Sequence, residues 1–153
     1  MSALKDQLRS DMTAAMKARD SIRTQTLRMV MTAVSNAEVA GKASRELADD
    51  DVVAILVSEH KKRKEAAEAF EQGNRPELAQ KERDEAAVIS EYLPEPLTDE
   101  EIVAIVAASV ADANGAELGM KAMGQVMGAV TAQTRGRADG AAVAAEVRKQ
   151  LAN

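Results

Sequence analysis

The stretch Tyr92-Leu93-Pro94-Glu95-Pro96-Leu97-Thr98-Asp99-Glu100-Glu101 decides how this chain is organised. Pro94 and Pro96 remove two backbone amide donors and favour extended geometry in the residues before them, so a helix arriving from the N-terminal side ends here. Thr98 and Glu101 have the spacing of a capping box, in which each side chain accepts a hydrogen bond from the other residue's backbone amide. The stretch therefore predicts the end of one helix, a stiff joint and the start of another, and it divides the chain in two.

The apolar residues are typical of an all-α protein. Of 153 residues, 46% are apolar, yet they include one Phe, one Tyr and no Trp, beside eight Met and many Ala, Leu and Val. This set suits closely packed helices better than a β-sandwich. The absence of Cys excludes disulfides, thiolate catalysis and metal sites built on Cys.

The N-terminal residues lack the apolar core of a signal peptide, and no window approaches the ~18 apolar residues of a membrane span. The net charge of −5 favours solubility and argues against unspecific coating of nucleic acid. We therefore expect a cytoplasmic protein with no membrane contact.

Helical periodicity predicts a four-helix N-terminal domain of two hairpins over residues 1–93. Asp20 or Ser21 is a cap between the first two helices, and Gly41 is a stop after the second. Asp49 begins a run of three acids that suits the positive end of a third helix dipole. Gly73 is a stop before the fourth helix, which has Pro76 in its first turn. The apolar stripe of the first helix consists of Leu4, Leu8, Met12 and Met16.

A small three-helix C-terminal domain is predicted over residues 97–153. Its first helix follows the capping box and closes at Asn114-Gly115, and its second helix spans about Leu118 to Thr131. The third follows a predicted cap at Asp139 and carries Val143, Val147 and Leu151 at i, i+4, i+8 spacing.

Charge is distributed unevenly within this second part. Residues 94–117 hold six acids and no Lys or Arg, whereas residues 118–153 hold five bases against two acids, a net of +3. The loop Thr134-Arg135-Gly136-Arg137-Ala138-Asp139-Gly140 combines guanidinium forks, free backbone amides and a helix N-terminus, all of which favour phosphate. The other interpretation is a turn with Gly in left-handed geometry and Asp139 as a helix cap. Both interpretations stay open from these residues alone.

A secondary basic patch follows the only histidine of the chain. Lys61, Lys62, Arg63 and Lys64 are adjacent, and acids four residues away (Glu59 with Arg63, Lys61 with Glu65, Lys64 with Glu68) indicate surface ion pairs. An anionic partner is the alternative. His60 lacks a second positioned group for acid-base catalysis, so we expect a solvated helix residue.

No other motif predicts chemistry. Gly119 and Gly124 have P-loop spacing, but Gln125 and Val126 stand where that loop needs Lys and a hydroxyl residue. The pattern from Gly124 to Gly128 is a G-x-x-x-G, which favours close helix packing within the domain, with dimerisation as the alternative. We predict no catalytic residue, no metal ligand, no cofactor and no small-molecule substrate.

The Tyr92-Leu93-Pro94 joint and the Gly136-Arg137-Ala138-Asp139-Gly140 loop are specific in combination. Through these motifs the chain resembles the GatB/YqeY family over nearly its whole length. The other matching positions are Lys62-Arg63-Lys64-Glu65-Ala66, Phe70, Arg75-Pro76-Glu77-Leu78-Ala79-Gln80-Lys81-Glu82, Glu85, Leu97, Glu101, Met123-Gly124-Gln125-Val126-Met127 and Val147.

The resemblance implies a stand-alone relative of the helical tail of the tRNA-dependent amidotransferase B subunit. In that enzyme, which amidates misacylated Glu-tRNA or Asp-tRNA with ammonia from glutamine, a separate cradle domain is catalytic and the tail contacts tRNA. This chain shows the tail-like part and a helical N-terminal domain without the cradle. From this resemblance and the net charge of +3 over residues 118–153, we expect a non-catalytic, tRNA-associated protein, with RNA contacts at Lys121, Arg135, Gly136, Arg137, Arg148 and Lys149.

Two alternatives remain open. The first is an accessory protein-interaction module that docks on an amidotransferase or another tRNA-modifying enzyme complex, through the acidic 94–117 face and the Met residues of the following helix. The second is carbon-nitrogen ligase activity with glutamine as amido donor, which the family name implies but which no residue of this chain supports.

Overall fold

The computed structural model describes residues 2–152, and the predicted all-α class is confirmed for them, since they form helices and turns without a strand. Contacts cluster within two units, Met1–Leu93 and Pro94–Asn153, each described by itself below. The first contains α1 (Ala3–Ala18), α2 (Ser21–Val39), α3 (Asp49–Gln72) and α4 (Pro76–Ser90). The second contains α5 (Asp99–Asp112), α6 (Gly115–Leu118), a 3-10 turn (Gly119–Ala122), α7 (Met123–Thr134) and α8 (Gly140–Ala152).

Helix ends in the first unit follow the predicted signals. The Asp20 carboxylate accepts a hydrogen bond from the Arg23 amide at 3.1 Å and caps α2. Pro76 occupies the first turn of α4, where its missing N–H leaves no acceptor unpaired. α3 ends at Gln72 with the predicted stop, Gly73, as its C-cap (φ −82°). The residue after it, Asn74, adopts the left-handed conformation (φ 58°) at the reversal into α4.

The two predicted hairpins pack on a shared core in this unit. α1 packs against α2, α3 packs along α4, and α2 contacts both members of the second pair. The fully or nearly buried residues of the core are Leu8, Leu27, Val30, Val34, Leu47, Val52, Leu56, Val88 and Ile89.

The second unit begins with the predicted capping box. The Glu101 amide donates to Thr98 Oγ1 at 3.1 Å, and the Thr98 amide donates to Glu101 Oε1 at 3.2 Å. α8 packs against α5, α7 and the 3-10 turn. The core consists of Ile102, Val106, Ala113, Ala122, Val126, Val130, Val143, Val147 and Leu151.

The predicted helix from Leu118 to Thr131 is wrong in its first third, so the second unit has more than three helices. Gly119 has φ 59° and ψ −138°, a conformation that only glycine adopts without strain, and it ends the four-residue α6. The 3-10 turn follows, and α7 starts at Met123. Within residues 2–152, no single helix has the length and apolar content of a bilayer span. α5 and Gly115–Thr134 have that length and apolar content only when taken together, and the pair is bent by 80°.

Candidate nucleic-acid interface

The loop between α7 and α8 is a tight, hydrogen-bonded turn. The Arg135 amide donates to Thr131 O at 3.0 Å, and the Arg137 amide donates to Thr134 O at 2.8 Å. Gly136 has φ 79°, as the turn interpretation predicts, because a left-handed residue lets the chain reverse after α7. The Asp139 carbonyl accepts from the Val143 amide at 3.1 Å and so starts α8. This backbone presents Arg135 as an exposed side chain at the end of α7.

Arg137 has a different position from its neighbour Arg135. Its side chain is half-buried, and its Nε donates to the Glu95 carbonyl at 3.1 Å. Its own carbonyl accepts from the Leu97 amide at 2.8 Å. These two bonds hold residues 95–97 against the α7–α8 loop, and they satisfy backbone groups that the two prolines leave without helical partners. Arg137 therefore positions the loop as well as adding charge to it.

Lys121, Arg148 and Lys149 lie at the other end of α7 and α8. Lys121 is exposed on the 3-10 turn, and Arg148 and Lys149 are exposed near the C-terminus of α8. The 3-10 turn packs against α8. A Cβ placed on Gly115 would lie 2.8 Å from Leu151 Cδ2, and a Cβ placed on Gly119 would lie 3.9 Å from the Leu151 carbonyl oxygen. The turn thus lies beside the last residues of α8, which makes α7 and α8 antiparallel.

The structure therefore divides the predicted RNA-binding residues into two groups. The loop group is Arg135, Gly136 and Arg137, and the end group is Lys121, Arg148 and Lys149. The 12 residues of α7 lie between them, a distance of about 18 Å at ~1.5 Å per residue. Consecutive phosphates along a nucleic-acid strand cover such a distance in a few nucleotides.

The cations of both groups have no carboxylate partner among the residues that the structure describes. Glu146, the nearest acid along α8, instead accepts from Gln150 Nε2 at 2.9 Å. Lys149 lies in the last turn of α8, where the negative end of the helix dipole stabilises its charge. Of these cations, Lys121, Arg135, Arg148 and Lys149 are also exposed, whereas Arg137 is half-buried and bonded to the Glu95 carbonyl.

The secondary basic patch is smaller than predicted, because Arg63 is buried. Only 7% of Arg63 is exposed, and its Nη1 lies 2.6 Å from Glu59 Oε2, which confirms that predicted pair. Its Nε lies 3.3 Å from Oε2 of the buried Glu85 on α4. Lys62 Nζ lies 3.5 Å from Glu59 Oε1. Lys61 and Lys64 are both exposed, and Lys64 does not form the predicted pair with Glu68.

Burial changes the protonation of two groups near this patch. Desolvation raises the pKa of the Glu85 carboxyl, nearby Glu82 adds to the rise, and the Arg63 charge opposes it. His60 is half-buried, contrary to the expectation of a solvated residue, and burial together with Lys64 lowers its pKa. The imidazole is therefore neutral at pH 7. No cluster of three or more potential metal ligands occurs within residues 2–152.

The G-x-x-x-G motif of α7 is not used for packing within the unit. A Cβ placed on Gly124 or Gly128 would have no neighbour within 4 Å in the described part of the chain. Leu118 and Met120, just before α7, are 44% and 51% exposed. The prediction of close packing within the domain is therefore wrong, because Val126 and Val130 form the buried side of α7 and the two glycines lie away from it.

Comparison with known proteins identifies relatives in fungi. The chain is 33% identical over 88 residues to "Altered inheritance of mitochondria protein 41, mitochondrial" of Lachancea thermotolerans, which is 56% of this chain and 46% of that protein. The protein of the same name from Clavispora lusitaniae is 32% identical over 102 residues, 65% of this chain and 58% of that protein. The chain thus spans about half the length of these curated relatives.

Nearly the whole chain matches a family model. The family is described as "Yqey-like protein", and the match covers residues 5–151, which includes both units and both groups of cations. The chain therefore belongs to the YqeY-like protein family.

Proposed function

We propose that the protein is a non-catalytic, tRNA-associated helical protein that contacts RNA phosphates through its second unit. The observation that carries the proposal is that Lys121, Arg135, Arg148 and Lys149 are exposed and lack ion-pair partners within residues 2–152. Cations in this state attract a polyanion and release its counterions, which is the main source of affinity for nucleic acid. The resemblance to the tRNA-contacting tail of the amidotransferase B subunit supports tRNA as the RNA.

The two groups of cations would have different parts in binding. Arg135 presents a planar guanidinium, which pairs with two phosphate oxygens at once. The end group supplies two ammonium groups and a guanidinium beside each other, which neutralise successive phosphates as point charges. Arg137 keeps the Arg135 loop in place through Glu95 and Leu97. The acids in the first turn of α5 repel phosphate groups and so limit the affinity.

A salt series with purified tRNA tests the proposal. We would measure fluorescence anisotropy of labelled tRNA with the full chain and with Arg135→Ala, and use Lys17→Ala as the control. Lys17 is an exposed, unpaired cation in the last turn of α1, so its removal changes the net charge by the same amount. Arg135→Ala should reduce the slope of log affinity against log salt by about 0.7 to 0.9, the value of one phosphate contact, and Lys17→Ala should leave it unchanged. Absence of binding at low salt, or equal effects of the two variants, would contradict the proposal.

A second function, an accessory module for protein interaction, is favoured by a separate observation. Leu118 and Met120 are exposed beside the uncovered Gly124 and Gly128 of α7, and such apolar surface is common in protein interfaces. A pull-down after nuclease treatment separates the two functions. An adaptor would recover an amidotransferase or another tRNA enzyme without RNA, and Met120→Ser would abolish the recovery, whereas an RNA-binding protein would lose its partners with the RNA.

Ligase activity and location have their own assays. Under our proposal the chain has no residue that activates a nucleophile, so incubation with misacylated tRNA, glutamine and ATP should give no amidated tRNA. Formation of the amide would establish carbon-nitrogen ligase activity. We propose a cytoplasmic location, while the names of the fungal relatives assign those proteins to mitochondria. Subcellular fractionation of the native host decides between the compartments.

A further inference from the structure

The Arg63 guanidinium is buried where α2, α3 and α4 meet. Nη1 donates to the Glu59 carbonyl at 3.0 Å and to Glu59 Oε2 at 2.6 Å. Nη2, on the side of α2, donates to the Met29 sulfur at 3.3 Å. Nε faces Glu85 without an aligned hydrogen bond in the described part of the chain.

The contact between Arg63 and Met29 leaves a charged donor poorly satisfied. A thioether sulfur is a weak acceptor, whereas a buried guanidinium N–H needs a strong one to offset the water it has lost. Glu59 and Glu85 contact Nη1 and Nε, so Met29 is the only acceptor for Nη2 among the residues that the structure describes. An oxygen atom on this sulfur would supply the missing acceptor.

We propose that Met29 is a reversible oxidation site whose sulfoxide oxygen is bound by Arg63. Met29 is 39% exposed, so its side chain is open to a small hydroperoxide in solvent although Arg63 is buried. A sulfur lone pair attacks one peroxide oxygen, the S–O bond forms and the O–O bond breaks. The leaving oxygen takes the electron pair and the peroxide proton and departs as water or an alcohol. Sulfur is oxidised by two electrons, the peroxide is reduced by two, and methionine sulfoxide reductases reverse the change.

Oxidation at this position strengthens a packing contact, whereas in most cores it weakens one. The sulfoxide oxygen is polar, and in an apolar core it would lack a partner. Beside Arg63 it accepts a charge-assisted hydrogen bond that joins α2 to α3. Met has three rotatable bonds, so its half-exposed end adjusts to the extra atom. The first unit would then unfold at a higher temperature after oxidation of Met29.

Met16 provides the matched control. It lies on α1, is 51% exposed and has no hydrogen-bond partner in the described part of the chain. Met29→Gln places an amide oxygen near the position of the sulfoxide oxygen, and Met29→Leu keeps the apolar volume without an acceptor. Met29→Gln should unfold at least ~4 °C above Met29→Leu, about the shift expected for one added stabilising contact in a domain of this size. Met16→Gln and Met16→Leu should unfold at the same temperature.

Hydrogen peroxide with the full chain tests the modification itself. Peptide mass spectrometry should find the sulfoxide at Met29, and the oxidised protein should unfold at a higher temperature than the reduced protein. Reductase treatment should restore the original midpoint, and peroxide should not raise the midpoint of Met29→Leu. Met29→Gln unfolding at or below Met29→Leu, or Met29 remaining unmodified when Met16 is oxidised, would overturn the proposal.

Discussion

Replacement of Gly115 by Ala tests how closely the second unit is packed. Gly115 is buried at the start of α6, between α5 and the end of α8. A Cβ at this position would lie 2.7 Å from Val110 Cγ1, 2.8 Å from Leu151 Cδ2 and 3.1 Å from the Val110 carbonyl oxygen. These distances are shorter than van der Waals contact, so at least one neighbour has to move.

The cost depends on which neighbour moves. Leu151 Cδ2 is the end of a flexible side chain and moves at little cost, but Val110 is branched at Cβ and its carbonyl belongs to the backbone of α5. Overpacking of this kind costs about 1 to 3 kcal/mol. Ala is favoured over Gly in a helix by about 1 kcal/mol, which offsets part of that cost. We expect Gly115→Ala to lower the free energy of unfolding by about 1 kcal/mol, or the midpoint by ~4 °C or more.

Gly128→Ala is the matched control for this substitution. Gly128 lies inside α7, and its Cβ would have no neighbour within 4 Å in the described residues. Only the higher helix propensity of Ala acts at this position, so the free energy of unfolding of this variant should rise by about 0.5 to 1 kcal/mol. Thermal unfolding followed by circular dichroism, together with urea titration, should show opposite signs for the two variants. Stabilisation by Gly115→Ala equal to that by Gly128→Ala would refute the described packing of α6.

Three other substitutions have expected outcomes. Thr98→Ala removes the hydroxyl that accepts from the Glu101 amide and should cost about 1 kcal/mol in urea unfolding; no loss would mean that the cap is not formed. Tyr92→Phe removes the hydroxyl that donates to Asp11 Oδ2 at 2.5 Å and should cost ~1.5 kcal/mol in urea unfolding; an unchanged free energy of unfolding would contradict this bond. Burial raises the pKa of Glu85, so its contribution to stability is complete below the ordinary carboxyl pKa and is lost as pH rises through the folded-state value. Between pH 4 and pH 7, the free energy of unfolding should therefore fall less for Glu85→Gln than for the natural protein. Parallel curves of unfolding free energy against pH for the two proteins would contradict the raised pKa of Glu85.

Local signals in the sequence predicted most helix ends correctly. The capping box of Thr98 and Glu101, the cap at Asp20 and the position of Pro76 each depend on residues within one turn. The apolar spacing of Val143, Val147 and Leu151 likewise predicted the buried side of α8. These features are fixed by neighbours in the chain, so no knowledge of the tertiary structure was needed.

Features that depend on tertiary packing were not predicted. The sequence from Leu118 to Thr131 has the pattern of one apolar helix, but the conformation of Gly119 interrupts it. Gly115 leaves no room for a Cβ, because α5 and α8 approach it closely. Arg63 was assigned to a surface patch by its charge, although it shares helical spacing with the buried Leu56 and Ala67. That spacing was a usable signal, because i, i+7 and i+11 lie on one face of a helix.

The candidate interface was predicted by residue type but not by arrangement. The sequence identified the five cations of residues 118–153, and their spacing gave no reason to separate them. The division into a loop group and an end group follows from the antiparallel packing of α7 and α8. Arg137 also positions the loop through its hydrogen bonds with Glu95 and Leu97. These residues lie about 40 positions away in sequence, so the loop sequence alone could not predict this role.

The slope of tRNA affinity against salt tests the central claim most directly. The natural protein should give a log-log slope of about −3, since four exposed cations each contribute 0.7 to 0.9. The variant with Ala at positions 121, 135, 148 and 149 should give a slope near zero, while Lys17→Ala should keep the natural slope. A variant that lacks all four cations yet binds tRNA with an unchanged slope would contradict the account.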